Sequence, residues 1–282
     1  MKATIVYFSQ TGNTEKVTYA MYDRLQAAGY TVTPLLYEDV ADFPEALDNV
    51  DILGIGFPTF FGYPPEFFEQ FLKGLRKVNG TDAFVFTTYG GATAGDSLYE
   101  AASVLKKKGY VILGGLKLEG SDSYPQGRVL GINAGRPDEG DLRAAAGFVD
   151  LILDAKKAGR SLDLEKLASP TPFFAAYHGK PHAALVKKMR KGIEGQILFN
   201  KEQCLFCETC KKSCPTRSIA TGEKFPEFSW KCIDGLRCFQ CARVCPGKAL
   251  TVAYPGPVED YRKFRDESAD SPEEKRRIMI TA

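Results

Sequence analysis

The first 158 residues of this 282-residue chain predict an α/β fold built on a five-stranded parallel sheet, and the rest predicts a small α+β domain. Within residues 1–158, short runs rich in β-branched and aromatic residues alternate with segments whose apolar residues recur at helical spacing. Five runs separated by helices form βαβ units, whose strands lie parallel with helices on both faces. All eight cysteines fall between Cys204 and Cys245, which marks a separate, compact unit.

Each strand is predicted from its own apolar run: ATIVYF, YTVTPLL, DILGIGF, DAFVFTT and YVILGGLKL. These strands are expected at Ala3–Phe8, Tyr30–Leu36, Asp51–Phe57, Asp82–Thr88 and Tyr110–Leu118. The helices are expected at Thr14–Ala28, Pro65–Val78, Gly95–Lys108 and Pro137–Ala158. In the first helix Val17, Met21 and Leu25 share one face, as in a helix that packs on a sheet. Ligands of such sheets bind beyond the carboxyl ends of the strands, so the loops at that edge are the candidate site.

The loop after the first strand, SQTGNT, is suited to binding a phosphate. It brings three hydroxyls, the amide side chain of Asn13 and a glycine that allows close approach of the backbone. Because it holds no Lys or Arg, a phosphate would rest on hydroxyls, backbone N–H groups and the positive end of the next helix. An ordinary helix cap is the alternative, but a cap needs only one such side chain. The candidate residues are Ser9, Gln10, Thr11, Gly12, Asn13 and Thr14.

Two further loops at the same edge, PTFFGYPP and TYGGATAGDS, bring aromatic residues and glycines. Aromatic side chains on a loop suit a flat apolar ligand, although packing into the neighbouring core is the alternative. The third loop is not a nucleotide-binding P-loop, because Asp96 stands where that motif needs lysine. The candidate ring-binding residues are Pro58, Thr59, Phe60, Phe61, Gly62, Tyr89, Gly90, Gly91 and Asp96.

Together these loops resemble those of the flavodoxin family, whose T/S-x-T-G-N-T loop holds the phosphate of FMN. The resemblance covers residues 1–158 and is most specific in the first loop. It implies one FMN, held by the three loops, and the strand order 2-1-3-4-5. Many flavodoxins have a tryptophan in the second loop where this chain has phenylalanines, which leaves open the aromatic ring that stacks on the flavin. No G-x-G-x-x-G loop occurs, which argues against NAD(H) or FAD bound by a Rossmann-type loop.

The two cysteine runs, CLFCETCKKSCP and CIDGLRCFQCARVCP, form an internal repeat. Three cysteines and a proline recur at a fixed offset of 31 residues, which implies two similar metal sites. The spacing C-x₂-C-x₂-C-x₃-C-P is typical of bacterial iron–sulfur sequences. Zinc is the alternative, but it usually takes paired C-x-x-C units and needs no trailing proline.

Residues 196–253 resemble bacterial two-[4Fe-4S] ferredoxins, in which each run lends its last cysteine to the cluster of the other run. The resemblance implies that one cluster is held by Cys204, Cys207, Cys210 and Cys245. It implies that the second is held by Cys232, Cys238, Cys241 and Cys214. Five residues separate Cys232 from Cys238 where the family has two, which leaves the second cluster's potential and exposure open. The whole chain resembles a flavodoxin–ferredoxin fusion of anaerobic bacteria and archaea.

Four segments are expected: a flavodoxin-like domain at 1–158, a linker at 159–195, a ferredoxin-like domain at 196–253 and a charged tail at 254–282. The linker includes a basic helix at Pro181–Lys191, and no role is assigned to His178 and His182. Residues 1–158 hold 15 Lys and Arg against 20 Asp and Glu, whereas residues 159–252 hold 16 against 8. Opposite charges favour docking of the two parts, within one chain or across a homodimer, with chance imbalance as the alternative.

The expected function is that of an electron-transfer protein, which carries electrons between FMN and two [4Fe-4S] clusters and on to redox partner proteins in anaerobic metabolism. The alternative is an enzyme, a flavin-dependent reductase of a small substrate such as a quinone, fed by the clusters. No catalytic residue is predicted, and the short basic patch does not indicate nucleic-acid binding. No run of 18 apolar residues predicts a membrane span, and the confined cysteines indicate a reducing cytoplasm.

Overall fold

The computed structural model describes residues 1–40, 42–180, 196–229, 238–253, 257–275 and 277–280. The strands of these residues are β1 (Lys2–Tyr7), β2 (Thr31–Leu36), β3 (Ile52–Pro58), β4 (Asp82–Tyr89), β5 (Val111–Glu119), β6 (Gln196–Phe199), β7 (Ile219–Thr221), β8 (Pro226–Phe228), β9 (Leu250–Ala253) and β10 (Arg277–Ile280). Their helices are α1 (Asn13–Ala27), α2 (Glu66–Gly74), α3 (Ser97–Lys107), α4 (Pro125–Val129), α5 (Glu139–Lys157), α6 (Pro172–Ala175), α7 (Thr209–Lys212), α8 (Gln240–Val244) and α9 (Val258–Ser268).

Five parallel strands of the largest sheet have the order β2-β1-β3-β4-β5, which confirms the predicted order 2-1-3-4-5. Helices α1 and α5 contribute to one buried apolar cluster, and α2 and α3 contribute to a second. Each helix does so through an apolar stripe, such as Val17, Met21 and Leu25 of α1, all of which are buried. Helix α2 ends at Gly74 rather than at the predicted Val78, because Leu75 adopts extended backbone and is buried.

A sixth, antiparallel strand that was not predicted extends the five predicted parallel strands. Strand β10 pairs antiparallel with β5, with Ile278 opposite Leu116 and Met279 opposite Gly115. Met279 is buried in the same core as α2 and α3, so this pairing removes apolar surface from water. The segment predicted as a charged tail thus contains both α9 and a strand of the main sheet. The cysteine-rich residues are therefore inserted in sequence between two parts of one sheet-containing unit.

Most of the predicted linker that the structure describes also packs against this unit. Leu162, Leu164 and Leu167 belong to the core beside α3, and the Phe174 ring lies 5.9 Å from that of Tyr63. We call residues 1–180 together with β10 the sheet half, and residues 196–253 the cysteine half. The basic helix predicted at Pro181–Lys191, and His182 within it, lie outside the described residues.

The described residues of the cysteine half form two small antiparallel sheets, β6 with β9 and β7 with β8, together with the short helices α7 and α8. Its core is small and includes Ile197, Ile219, Phe239 and Leu250 alongside buried cysteines. This arrangement agrees with the predicted small α+β domain. Within the described residues, none of the helices combines the length and the apolar character that crossing a bilayer requires.

Candidate functional site

The first predicted loop lies where β1 ends and α1 begins, at the carboxyl edge of the sheet. Gly12 has a φ of 89°, a conformation that L side chains rarely adopt, and this lets the chain turn directly into α1. The Oγ1 of buried Thr14 lies 2.8 Å from the Oγ1 of Thr88, at the end of β4. Asn13 Nδ2 donates to the Ser121 carbonyl beyond β5, at 2.9 Å. The loop is therefore held by the ends of two other strands.

Backbone N–H groups of this loop are available to an anion. Within the described residues, the structure records no acceptor for the N–H groups from Thr11 to Thr14. The next two N–H groups do have partners, since Glu15 donates to Ser9 Oγ at 3.2 Å and Lys16 donates to the Gly12 carbonyl at 3.0 Å. Unpaired donors at the start of a 15-residue helix, surrounded by hydroxyls, fit the phosphate group of FMN.

A narrow cleft at this edge, which we call the flavin cleft, is lined by most of the predicted flavin-site residues. The predicted residues that line it are Ser9, Gln10, Thr11, Asn13, Thr14, Pro58, Thr59, Phe60, Tyr89 and Gly90. The hydroxyls of Thr59 and Thr87 lie 2.8 Å apart and join the ends of β3 and β4 below the cleft. The remaining predicted residues, Gly12, Phe61, Gly62, Gly91 and Asp96, are not among the lining residues.

In the second loop, Phe61 and Gly62 form the turn behind Phe60 instead of the cleft wall. Both have positive φ, 51° and 79°, and the backbones of Phe60 and Tyr63 bond to each other across the turn. A Cβ at Gly62 would lie 2.2 Å from Phe174 Cζ, so only glycine fits beside that ring. The segment after α5 therefore buttresses the second loop.

In the third loop, Tyr89 lines the cleft and Asp96 does not. Asp96 is 1% exposed, and its carboxylate accepts the N–H of Ser169 at 2.7 Å and lies 3.0 Å from His178 Nδ1. Asp96 therefore fastens the third loop to residues 159–180, and His178 participates in this contact. Burial and the carboxylate of Asp270 raise the pKa of Tyr89, so its hydroxyl remains a hydrogen-bond donor.

Three cleft residues were not predicted: Thr88 at the end of β4, and Ser121 and Ser123 after β5. The sequence GSDS, which follows β5, was the signal, because the loop after a fifth parallel strand must reach the same edge of the sheet as the other three loops. Asp122, between the two serines, accepts the Tyr261 hydroxyl at 2.6 Å and the Tyr124 N–H at 2.9 Å. Burial raises the pKa of Asp122 to about 6 in spite of these bonds.

Four cysteines, Cys204, Cys207, Cys210 and Cys245, line one small pocket of the cysteine half together with Pro246. Cys207 is exposed, and the hydroxyl of Thr209, 3.3 Å from its sulfur, lowers the pKa of the thiol. Leu205 and Phe206, the residues that precede Cys207, are 65% and 53% exposed. Leu205, which lines the pocket, and its neighbour Phe206 therefore expose apolar surface beside Cys207.

A second pocket is lined by Cys214, Cys238 and Cys241, with the Phe228 and Phe239 side chains beside them. Each pocket combines cysteines of both runs, and the seven described cysteines are free thiols. Cys232 lies outside the described residues. Among the residues that are described, no three His, Cys, Asp or Glu side chains meet as the ligands of a single ion would.

The second pocket is joined to the flavin cleft by a hydrogen bond. Gln10, from the first loop, donates from Nε2 to the carbonyl oxygen of Cys238 at 2.5 Å. The Tyr37 hydroxyl donates to the carbonyl of Pro215 at 3.0 Å, next to Cys214 in sequence. The rings of Tyr124 and Phe239 lie 5.6 Å apart, edge to face. The two halves therefore contact each other within one chain, through residues adjacent to both candidate sites.

Both halves match known families. The flavodoxin family model matches residues 5–123, and the model of the 4Fe-4S dicluster domain matches residues 196–246. The chain is a flavodoxin–ferredoxin fusion. Its flavodoxin domain implies FMN, its dicluster domain implies iron–sulfur clusters, and the two together indicate a role in electron transfer and suggest redox partners.

Similar proteins include an uncharacterized protein of Methanocaldococcus jannaschii, 31% identical over 156 residues, which are 54% of this chain and 99% of that protein. Among solved structures, a flavodoxin from the domain Archaea is 19% identical, with a TM-score of 0.43 over 55% of this chain and 99% of that one. Rubredoxin oxygen:oxidoreductase from the anaerobe Desulfovibrio gigas is 20% identical, with a TM-score of 0.45 over 56% of this chain and 36% of that one.

Proposed function

We propose that this fusion protein carries electrons between FMN and two [4Fe-4S] clusters and on to redox partner proteins, in the reducing cytoplasm of an anaerobe. FMN supplies one- and two-electron chemistry and each cluster one-electron chemistry, so the chain would link electron pairs to single electrons. The protein's own part is to bind these groups, to exclude water and to fix their separation. The observation that carries the proposal is the hydrogen bond from Gln10 of the flavin cleft to the carbonyl of Cys238.

The FMN would be held by the loops at the carboxyl edge of the sheet. The N–H groups of residues 11–14 and the hydroxyls of Ser9, Thr11 and Thr14 would bind its phosphate. Among the described residues, Phe60 and Tyr89 are the aromatic side chains that line the same cleft, and these would contact the flavin ring. This assignment leaves Asp96 with a structural role, since its carboxylate is already engaged by Ser169 and His178.

The clusters would be ligated in the crossed manner of dicluster ferredoxins. Cys204, Cys207, Cys210 and Cys245 would hold the first cluster, and Cys214, Cys232, Cys238 and Cys241 the second. The contacts of Gln10 and Tyr37 support an order in which the second cluster exchanges electrons with the flavin. The exposed Leu205 and Phe206 support the first cluster as the point of exchange with a partner protein.

Electron exchange within one chain is the arrangement that the contacts support best. Along the chain, the cysteine half is connected to the sheet half at both ends, to residues 1–180 on one side and through α9 to β10 on the other. A cluster domain held by two chain segments is kept at a high local concentration beside the flavin, so weak contacts suffice for docking. Electron exchange between the two chains of a homodimer would not require the cysteine half to be connected to the sheet half at both of its ends.

Cofactor analysis of protein purified without oxygen tests the proposal. Acid extraction and chromatography should give about one FMN and no FAD per chain, and metal analysis should give about eight irons per chain. Protein that yields FAD, or two zinc ions and no iron, would overturn the assignment. A visible spectrum with separate flavin and cluster bands, both responding to redox titration, would support it.

A reductase of a small molecule is the second candidate, and a cavity between the halves favours it. This cavity of about 390 Å³ falls in the range of ligand pockets and shares Gln10 and Ser123 with the flavin cleft. A soluble quinone tests it in the reduced protein. A reductase would show saturable reoxidation that is slowed by Gln126→Leu, a change in the cavity wall. An electron carrier would show reoxidation proportional to the quinone concentration and insensitive to that change.

A further inference from the structure

The C-terminal segment, residues 257–275 and 277–280, follows the last cluster motif and returns to the flavin cleft. Asp270 donates its backbone N–H to the carbonyl of Ala92, in the third cleft loop, at 2.7 Å. Five residues later, the carbonyl of Lys275 accepts the hydroxyl of Tyr89, a cleft residue, at 2.6 Å. Two hydrogen bonds thus join this segment to the loop that closes one side of the cleft.

An ion pair with little solvent contact fixes the segment at this place. Lys117, on β5, is 5% exposed, and its Nζ lies 2.8 Å from Asp270 Oδ2 and 3.4 Å from a Glu274 carboxylate oxygen. The two carboxylates compensate a lysine charge that would otherwise be costly to bury. Strand β10 then continues along β5, so the position of residues 270–275 is set on both sides.

Through α9, the same segment also contacts the loop that follows β5, which we call the fourth cleft loop. Tyr261 donates to Asp122, between the cleft residues Ser121 and Ser123, and its ring stacks on Tyr124 at 5.0 Å with an interplanar angle of 15°. The Tyr124 ring in turn contacts Phe239 of the cysteine half. One segment therefore contacts two cleft loops and, through Tyr124, the wall of the second cysteine pocket.

From these contacts we infer that the C-terminal segment is part of the flavin site: it holds the third and fourth cleft loops in the shape that binds FMN. Residues that follow the cluster motif are then positioning residues for a cofactor bound by the first 125 residues. A flavodoxin domain ending before residue 257 would lack these contacts. The inference rests on the proposed binding of FMN in this cleft and assigns it a determinant remote in sequence.

Tyr89→Phe and Asp270→Asn test this inference in the full-length chain. Tyr89→Phe keeps the ring and removes only the hydroxyl that reaches Lys275, and Asp270→Asn removes the charge that pairs with Lys117 without touching the cleft lining. The matched control is Tyr110→Phe, which removes a hydroxyl from a buried tyrosine just before the other end of β5. Fluorescence titration of the apoprotein with FMN and hydrogen exchange of residues 90–95 are the measurements.

We expect the FMN dissociation constant to rise about fivefold or more in Tyr89→Phe and in Asp270→Asn, and to stay unchanged in Tyr110→Phe. Amide exchange of residues 90–95 in the apoprotein should accelerate in the first two variants only. Wild-type FMN affinity and wild-type exchange in Tyr89→Phe would overturn the inference, even if Asp270→Asn does not fold. Wild-type protein that binds no FMN would instead overturn the proposed function, and the exchange data would still report whether the segment holds the loop.

Discussion

Replacing Thr14 with alanine is expected to weaken FMN binding by about 1–3 kcal/mol. Its Oγ1 is buried at the cleft and lies 2.8 Å from Thr88 Oγ1, so the hydroxyl is fixed by the protein before FMN binds. A neutral hydrogen bond contributes about 0.5–1.5 kcal/mol and one to a charged group about 1.5–3 kcal/mol. The expected loss corresponds to a dissociation constant raised about 5- to 150-fold.

The assay is a fluorescence titration of apoprotein with FMN, using two comparison variants. Thr14→Ser keeps the hydroxyl and should bind FMN close to wild type. Thr18→Ala removes a fully buried hydroxyl one turn further along α1, which donates to the Thr14 carbonyl at 3.0 Å and lines no part of the cleft. It should lower stability without lowering FMN affinity. Equal affinity in wild type and Thr14→Ala would refute the assignment of the phosphate to this loop.

Three further predictions concern the clusters, the buried carboxyl group of Asp122 and the contact between the halves. Cys214→Ser should reduce the iron content from about eight to about four per chain by removing the cluster of Cys238 and Cys241, and an unchanged iron content would contradict the role of Cys214 as a cluster ligand. Asp122→Asn should remove a pH dependence: since folding raises the pKa of Asp122 from 3.8 to about 6, its stabilising contribution is full below pH 3.8 and is lost as the pH rises through 6. Urea unfolding of the apoprotein should show wild type losing about 1–1.5 kcal/mol relative to Asp122→Asn between pH 5 and 7.5, and parallel curves would disagree. Gln10→Leu should slow reduction of the clusters through the flavin without altering the reduction potentials of the flavin or the clusters. An unchanged rate would show that Gln10 does not contribute to electron exchange between the halves.

The sheet could be predicted because each of its parallel strands corresponds to an apolar run that is visible in the local sequence. The runs that form β1, β3, β4 and β5 are apolar enough to be buried on both faces, and the helical patterns between the strands leave few possible connections. Strand β10 could not be predicted in this way. Arg277–Ile280 is four residues long, follows a charged stretch and gains its partner only by pairing with β5, more than 150 residues earlier. Its β structure depends on tertiary contact, which no local pattern reports.

The candidate site shows the same division between local and non-local signals. Ser9 to Thr14 form a contiguous loop, so their chemistry is visible in six letters. The contacts of Asp96 with Ser169 and His178 join residues more than 70 positions apart, and neither side of the contact predicts the other. The packing of residues 162–167 could have been predicted from the sequence, because SLDLEKL carries three leucines at spacings that suit one buried face.

Electron exchange between flavin and clusters within one chain is the central claim, and rapid mixing tests it most directly. Anaerobic, fully loaded protein is mixed with a reductant that acts on the flavin, and the flavin and cluster absorbance bands are followed separately at several protein concentrations. The contact of Gln10 with Cys238 predicts that the cluster bands bleach after the flavin, with a rate constant independent of protein concentration. Clusters that remain oxidised beside reduced flavin, despite a favourable measured potential difference, would contradict the claim, and so would a rate constant that rises in proportion to protein concentration.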